Sequence, residues 1–140
     1  MSKLLFLQRL SYRFYKWKIP LIPKMITRAI RILYSAEIPY TVKIFKDVKF
    51  HHGGLGVVVH PRAIIGHKCQ IYQHVTIGSR NNLGPPVLKN EIIVGANSTI
   101  LGNIVIGNNV KIGANTIVLD DIPDNATVVG QKSRVLLKND

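Results

Sequence analysis

Acidic side chains are scarce in this 140-residue chain, with 7 Asp and Glu against 19 Lys and Arg, and the first 36 positions contain none. Eight basic residues fall in that same stretch. So lopsided a charge suggests an anionic surface near the N-terminus, either membrane phospholipid or nucleic acid. No base-reading motif accompanies the charge, so nucleic acid is set aside. Cysteine is nearly absent too: Cys69 stands alone, which excludes an internal disulfide and points to a reducing cytoplasm. No apolar run approaches the ~20 residues needed to cross a bilayer. The N-terminus also lacks the apolar core and small-residue cleavage site of a secretion signal. The expectation is a cytoplasmic protein, reaching lipid only by peripheral contact with the inner face of the membrane.

What the sequence does have is a beat of six. Val59, Ile65, Ile71 and Ile77 are followed, after a break, by Val94, Ile100, Ile106, Ile112 and Val118. Gly follows many of them, at Gly66, Gly78, Gly95, Gly107 and Gly113. A small or β-branched residue sits four places on, at Cys69, Val75, Ser98, Ile104, Val110 and Thr116. Neither the 3.6 period of a helix nor the alternation of a half-buried strand produces this. A six-residue repeat predicts a parallel β-helix, each hexapeptide giving one short strand and one corner. The aliphatic residue points inward and stacks on its equivalent in the next coil. Corners need residues that tolerate unusual dihedrals, a demand met by Gly and by Asn97, Asn103, Asn108, Asn109 and Asn115. Cys69 occupies a small-residue slot, where inert packing is expected.

One coil cannot bury its own inward face, so both ends of the stack need covering. Residues 1–36 read as a basic helical extension. Leu7, Leu10, Phe14 and Trp17 form one apolar stripe with Arg9, Arg13 and Lys16 opposite; after a break at Pro20 and Pro23, Ile26, Ala29, Ile30 and Leu33 form a second. Two roles remain open for these helices. They can cap the β-helix, and they can also lie in a membrane interface, where aromatic and basic residues mix. Residues 37–131 then make the β-helix, with a loop at 79–91, and 132–140 form a tail.

Interruptions in a solenoid are usually loops on a working face. Ile38, Ile44 and Phe50 keep the beat, but the next is delayed to Val59 by an insertion that opens His51-His52-Gly53-Gly54. Histidines beside glycines place an imidazole next to backbone that a ligand can approach closely. The second interruption carries Arg80, Asn82 and the Pro85-Pro86 pair. These loops put His51, Gly53, Gly54, Arg80 and Asn82 among candidate acceptor-binding residues. His60, His67 and His74 recur every seven residues, one out of phase with the coil, and no Cys or carboxylate cluster completes a metal shell, so no metal is expected.

Several runs together are similar to one family. Glu37-Ile38-Pro39, His51-His52-Gly-Gly-Leu-Gly-Val-Val-Val, Ile71-Tyr72-Gln73-His74-Val75-Thr76-Ile77-Gly78, Ile100-Leu101-Gly102-Asn103-Ile104, Ile112-Gly113-Ala114-Asn115 and Asp121-Ile122-Pro123 through Gly130 resemble the serine acetyltransferase-type branch of the hexapeptide acyltransferases. The resemblance implies a left-handed parallel β-helix, a homotrimer, and acetyl transfer from acetyl-CoA to a hydroxyl by direct attack. It also implies site residues. His52 matches the general base, and an imidazole that titrates near neutrality suits proton removal from a hydroxyl. His51 is a minor alternative. Glu37, fifteen positions before His52, matches the orienting carboxylate, against a plainer reading as a surface partner of Arg28 or Arg31. Gly78, Ala96 and Ala114 match backbone contacts to acetyl-CoA in a groove between neighbouring subunits, and Lys132 and Arg134 fit its phosphates.

The chain departs from the serine enzymes in two places. Their Asp-Arg-His-Pro run falls here on Leu83-Gly84-Pro85-Pro86, which leaves an amino-acid carboxylate without its paired charge. Their long helical domain is replaced by about 35 basic-rich residues. The shape resembles small sugar O-acetyltransferases encoded with capsule and lipopolysaccharide genes. The expected function is acetyl-CoA-dependent O-acetylation of a sugar hydroxyl of a bacterial surface polysaccharide or its precursor. Serine O-acetylation in cysteine biosynthesis is the first alternative, and a non-catalytic trimeric scaffold the second.

Overall fold

The structure, a computed structural model, describes residues 3–130; Lys132 and Arg134 lie outside them. Hexapeptides fold as the period demands. Two-to-three-residue strands wind into a parallel β-helix of about four coils with three flat sides. The first side stacks Lys43–Ile44, Ile64–Ile65, Val87–Leu88 and Val105–Ile106. On the second lie Lys49–Phe50, Gln70–Ile71, Ile93–Val94, Lys111–Ile112 and Thr127–Val128. Val58–Val59, Thr76–Gly78, Thr99–Leu101 and Ile117–Val118 make the third. All pairings are parallel, with like residues in register, such as Ile71 on Val94 and Ile77 on Ile100. Every aliphatic residue of the beat from Val59 to Val118 is buried, as are the six small residues of the second slot. Cys69 is one of these. Its thiol donates to the Lys89 carbonyl at 3.2 Å, and burial pushes it up to about 11, so the inert reading stands.

Register measures the insertions. Val59 pairs with Ile77, 18 positions on, whereas Ile77 pairs with Ile100, 23 on, so the second excursion adds five residues to a coil. Phe50 pairs with Ile71, 21 on, so the histidine insertion adds three. The loop expected at 79–91 therefore ends early. Val87–Leu88 is already a strand between Ile64–Ile65 and Val105–Ile106, and Leu88 is fully buried in the column.

The corner chemistry differs from expectation. Left-handed dihedrals belong to Lys68, His74, Glu91, Asn97, Asn109, Asn115 and Asn125, most of them just before a small slot. Asn103 and Asn108 are not among them. The glycines after the beat serve close approach instead. A Cβ at Gly66 would sit 2.2 Å from the Lys89 carbonyl oxygen, and one at Gly95 2.5 Å from the Ala114 nitrogen. Asn108 is a rung of a polar ladder. Asn90 Oδ1 accepts from the His67 N–H at 2.9 Å, Asn108 Oδ1 from the Asn90 N–H at 3.2 Å, and Asp124 Oδ1 from the Asn108 N–H at 2.7 Å. The ladder satisfies backbone donors that a corner cannot pair through a strand.

Two antiparallel helices cover the first coil: α1, Lys3–Lys16, and α2, Leu21–Tyr34. Pro20 stands at the N-cap position of α2 without a capping bond, and Pro23 sits in its first turn, where a missing N–H costs little. The buried faces match the predicted ones only in part: Ile30 is buried and Leu7 and Ile26 pack against the core. Helix α1 buries Leu4, Leu5, Gln8 and Ser11, while Trp17 lies beyond its end and is 68 % exposed. Helix α2 buries Pro23 and Ile30 but leaves Leu33 exposed. Leu4, Leu5 and Ile30 join the same apolar cluster as the coils. The open edge of the first coil is closed by side chains: Gln8 Nε2 donates to the Val42 carbonyl at 3.2 Å, and Arg9 to that of Phe45 at 3.3 Å. The capping role is thus visible in atoms.

Asp124 offers a test of the ladder. The Asn108 backbone N–H and then its side-chain amide hold this carboxyl below the usual range. A depressed carboxylate stabilises the fold above the unfolded value of 3.8, and the contribution is lost as pH falls through the lower folded value. Melting temperature is expected to drop as pH falls below about 4, and Asp124→Asn to flatten part of that drop, followed by circular dichroism.

Candidate active site

The insertion after Phe50 folds as a tight turn, His51–Gly54, whose His52 and Gly53 leave helical dihedrals. Four residues in a row of six carry positive φ: His52 at 49°, Gly53 at 67°, Gly54 at 77° and Gly56 at 67°. For glycine this conformation is free; for His52 it is strained by about 1–2 kcal/mol. Strain of that kind persists only where the surroundings over-determine it. Here they do. Leu55 N–H donates to the His52 carbonyl at 3.3 Å, Gly56 N–H to Ser35 at 3.0 Å, and His74 N–H to Leu55 at 2.8 Å. A Cβ at Gly54 would meet Leu4 Cδ2 of α1 at 2.9 Å, and Tyr34 of α2 lies beside Gly53. The two helices therefore brace this loop as well as capping the coil.

The adjacent histidines have different environments. Because Phe50 lies over Ile71, His51 falls over Tyr72, and their rings stack at 4.1 Å and 10°. Its Nε2 lies 3.0 Å from Gln70 Oε1, within hydrogen-bond distance. His51 is half-buried and committed on ring face and edge. His52 is exposed, and its ring stands tilted to Tyr72 at 6.4 Å. Gln70 and Tyr72 did not stand out as site residues in the sequence; register alone places them, once the insertion is counted as three.

The other candidates are not gathered around His52 within one chain. Glu37 pairs by a backbone bridge with Val58, and its carboxylate sits 3.5 Å from Arg31 Nη1. No hydrogen bond among the described residues joins it to His52. Arg80 is exposed and lines an open cavity of about 280 Å³ with Asn81, Leu83, Gly102, Asn103, Ile104 and Leu119. Asn82 is exposed at φ 58° outside that lining. Gly78 ends one strand of the third side, while Ala96 and Ala114 stack at the corner that leads into that side, the Asn115 N–H reaching the Ala96 carbonyl at 2.9 Å. These groups flank opposite ends of one sheet. The three histidines at spacing seven serve separately: His60 Nδ1 accepts from Arg62 N–H, His67 pairs with Asp47 at 3.1 Å, and His74 packs on Gly56. Among the described residues no three His, Cys, Asp or Glu side chains converge as metal ligands would.

Comparison with known proteins supplies the context for this geometry. No family model matches the chain. A serine acetyltransferase of Synechococcus elongatus is 38 % identical over 134 residues, covering 94 % of this chain and 54 % of the relative. The chain thus spans about half the length of that relative. A protein of Escherichia coli K12, WcaB, named for an acetyltransferase role in colanic acid biosynthesis, is 40 % identical over 125 residues, covering 86 % of this chain and 75 % of the relative. Among solved structures, serine acetyltransferase isoform 3 of Entamoeba histolytica, in complex with cysteine, superposes with a TM-score of 0.88 at 28 % identity, over 98 % of this chain and 50 % of its own.

The loop's glycines permit a matched test, because Gly53 and Gly56 share the same φ of 67°. A methyl at Gly53 meets only Tyr34 Cδ1 at 3.7 Å, whereas at Gly56 it meets the His74 ring at 2.0 Å. Gly53→Ala should cost about 1–2 kcal/mol of dihedral strain. Gly56→Ala should cost clearly more, and should displace His74. Chemical denaturation gives the two energies, and equal losses would mean that the His74 contact contributes nothing.

Proposed function

The chain belongs to the hexapeptide-repeat acyltransferases, in the serine acetyltransferase-like branch, and from that premise we propose that it transfers an acetyl group from acetyl-CoA to an acceptor hydroxyl with His52 as general base. The observation that carries the assignment is the division of labour between neighbours. His51 is held by Tyr72 and Gln70, and His52 is presented to solvent on a loop braced by Leu4 and Tyr34. In the proposed step His52 takes the hydroxyl proton as the oxygen attacks the thioester carbonyl. Collapse of the tetrahedral adduct breaks the C–S bond, and the CoA thiolate recovers the proton from the imidazolium. Glu37 orients His52 in this scheme only if it exchanges Arg31 for the imidazole. Gly78, Ala96 and Ala114 are proposed to line the acetyl-CoA groove between two copies of a homotrimer, a reading supported by their placement at opposite ends of the third side.

Sequence analysis ranks a glycan hydroxyl first as acceptor. The relatives weigh the other way: serine is at least as well supported, by the curated relative matching most of this chain and by the solved neighbour. Serine is therefore the first acceptor to test. Arg80 is the single cation of the 79–86 excursion and the natural candidate to hold a serine carboxylate. A glycan hydroxyl remains as second reading, favoured by the WcaB match and by the cation-free Leu83-Gly84-Pro85-Pro86 run.

Thiol release from acetyl-CoA should be stimulated by the true acceptor in a panel of serine, free sugars and capsule oligosaccharides. With serine as acceptor, Arg80→Ala should raise the KM for serine about tenfold or more and leave that for acetyl-CoA unchanged. An unchanged serine KM would remove Arg80 from the site. Stimulation by oligosaccharide alone would establish the second reading.

His52→Ala should lower turnover by about 10²-fold or more with acetyl-CoA affinity and assembly intact. His51→Ala should act more mildly, through the positioning of its neighbour. If the two rank in the opposite order, the base is His51.

A further inference from the structure

Helix α2 has two apolar faces, and only one is used. Pro23 and Ile30 are buried, Pro23 beside Ser11 of α1 and Ile30 in the core cluster, with Ile26 and Tyr34 packed against that cluster. At 3.6 residues per turn, Leu21, Met25, Ala29 and Ile32 fall on the opposite side, flanked by Ile22 and Leu33. That side faces solvent: Leu21 is 69 % exposed, Met25 64 %, Ile32 80 % and Leu33 70 %. Lys24, Arg28 and Arg31 form the strip along one edge, all exposed. Arg31 is paired with Glu37, whereas Lys24 and Arg28 have no carboxylate partner among the described residues.

We propose that this outer face of α2 docks the protein on an anionic phospholipid surface, with the apolar residues entering the headgroup boundary and Lys24 and Arg28 meeting lipid phosphates. Charge selects this occupant. The first 36 residues hold eight cations and no acid, so a second copy placed on the face would bring like charge against like, while an anionic bilayer supplies the missing countercharge. A helix with a broad apolar sector and a basic edge is the form that lies in a membrane interface. The helix lies on the bilayer, because no helix among the described residues is long and apolar enough to cross it. The buried face of α2 stays against α1 and the core cluster throughout, so docking leaves the His52 loop in place. The inference is independent of which hydroxyl accepts the acetyl group.

Vesicle co-sedimentation of the full chain tests it, with vesicles of phosphatidylcholine alone and with phosphatidylglycerol added. The unmodified protein should bind the anionic vesicles at low salt and release as salt screens the charge. Lys24→Glu/Arg28→Glu should weaken binding about tenfold or more. Met25→Glu/Ile32→Glu should abolish it. Both pairs sit on exposed positions, so melting temperature should hold, and that measurement separates lost docking from lost fold. No binding to anionic vesicles overturns the proposal, as does binding that neither pair of substitutions changes. A smaller assembly by light scattering for Met25→Glu/Ile32→Glu also overturns it, by making the face a contact between copies.

Discussion

Close stacking of one coil on the next is the constraint on which the molecule depends. Each strand is two or three residues long and has almost no stability alone. Its backbone groups are satisfied by the coils before and behind, as when the Tyr72 N–H reaches the Val94 carbonyl at 3.1 Å and the Gly95 N–H that of Ile112 at 2.8 Å. Spacing set by those bonds leaves no room for a Cβ at Gly66, Gly95 or Gly107, where added carbon would fall within 2.5 Å of the next coil. The same spacing turns corner side chains into connectors, so Asn90, Asn108 and Asp124 pass hydrogen bonds along one edge. A residue in this fold is thus chosen by its neighbour 18 places away as much as by its neighbour in sequence.

Chemistry can enter such a column only where a coil is lengthened. The histidine turn adds three residues and the later excursion five, the next coil returns to the 18-residue spacing, and only the last, where Ile112 pairs with Val128, is two residues short. Lengthening by three is too little for a flexible loop. The added residues are forced into left-handed dihedrals, which glycine adopts freely and His52 adopts at a cost. Rigidity follows from the contacts that hold the turn: Leu4 beneath Gly54, Tyr34 beside Gly53, His74 against Gly56. An exposed imidazole on a braced turn loses little freedom when a ligand arrives, which is the preorganisation a general base needs.

Much of this was legible before any coordinates. The six-residue beat predicts the parallel β-helix, the inward columns and the buried Cys69, because stacking leaves a direct imprint on residue size. The expected loop 79–91 is too long because the Asn-rich and Pro-Pro run masks the beat, although Leu88 stands six places before Val94. Asn108 was legible as a corner residue but not as a rung, since its role depends on Asn90 and Asp124 in other coils. The site was only half legible. Adjacent His51 and His52 carry no mark of which one is free; the distinction comes from Tyr72 and Gln70, some 20 residues away in sequence and one coil away in space. Glu37 shows the opposite failure: its spacing suits an orienting role, yet its carboxylate rests on Arg31.

The helices expose a limit of periodicity itself. A stripe at spacings of three and four says that a helix has an apolar side, and it is silent on which of two apolar sides is buried. In α2 apolar residues occupy most of the circumference, interrupted by Thr27 and the strip of Lys24, Arg28 and Arg31. The buried side carries Pro23, whose carbonyl accepts from Ser11 of α1, and Ile30, which joins the core cluster. The bulkier line of Leu21, Met25 and Ile32 is left outside. Capping a solenoid consumes one face of a helix, and an amphipathic helix in that position would turn a polar face to water. That α2 turns an apolar face outward, edged by cations, means that capping alone does not account for its sequence, and a second selective demand acts on the side that the coil never touches.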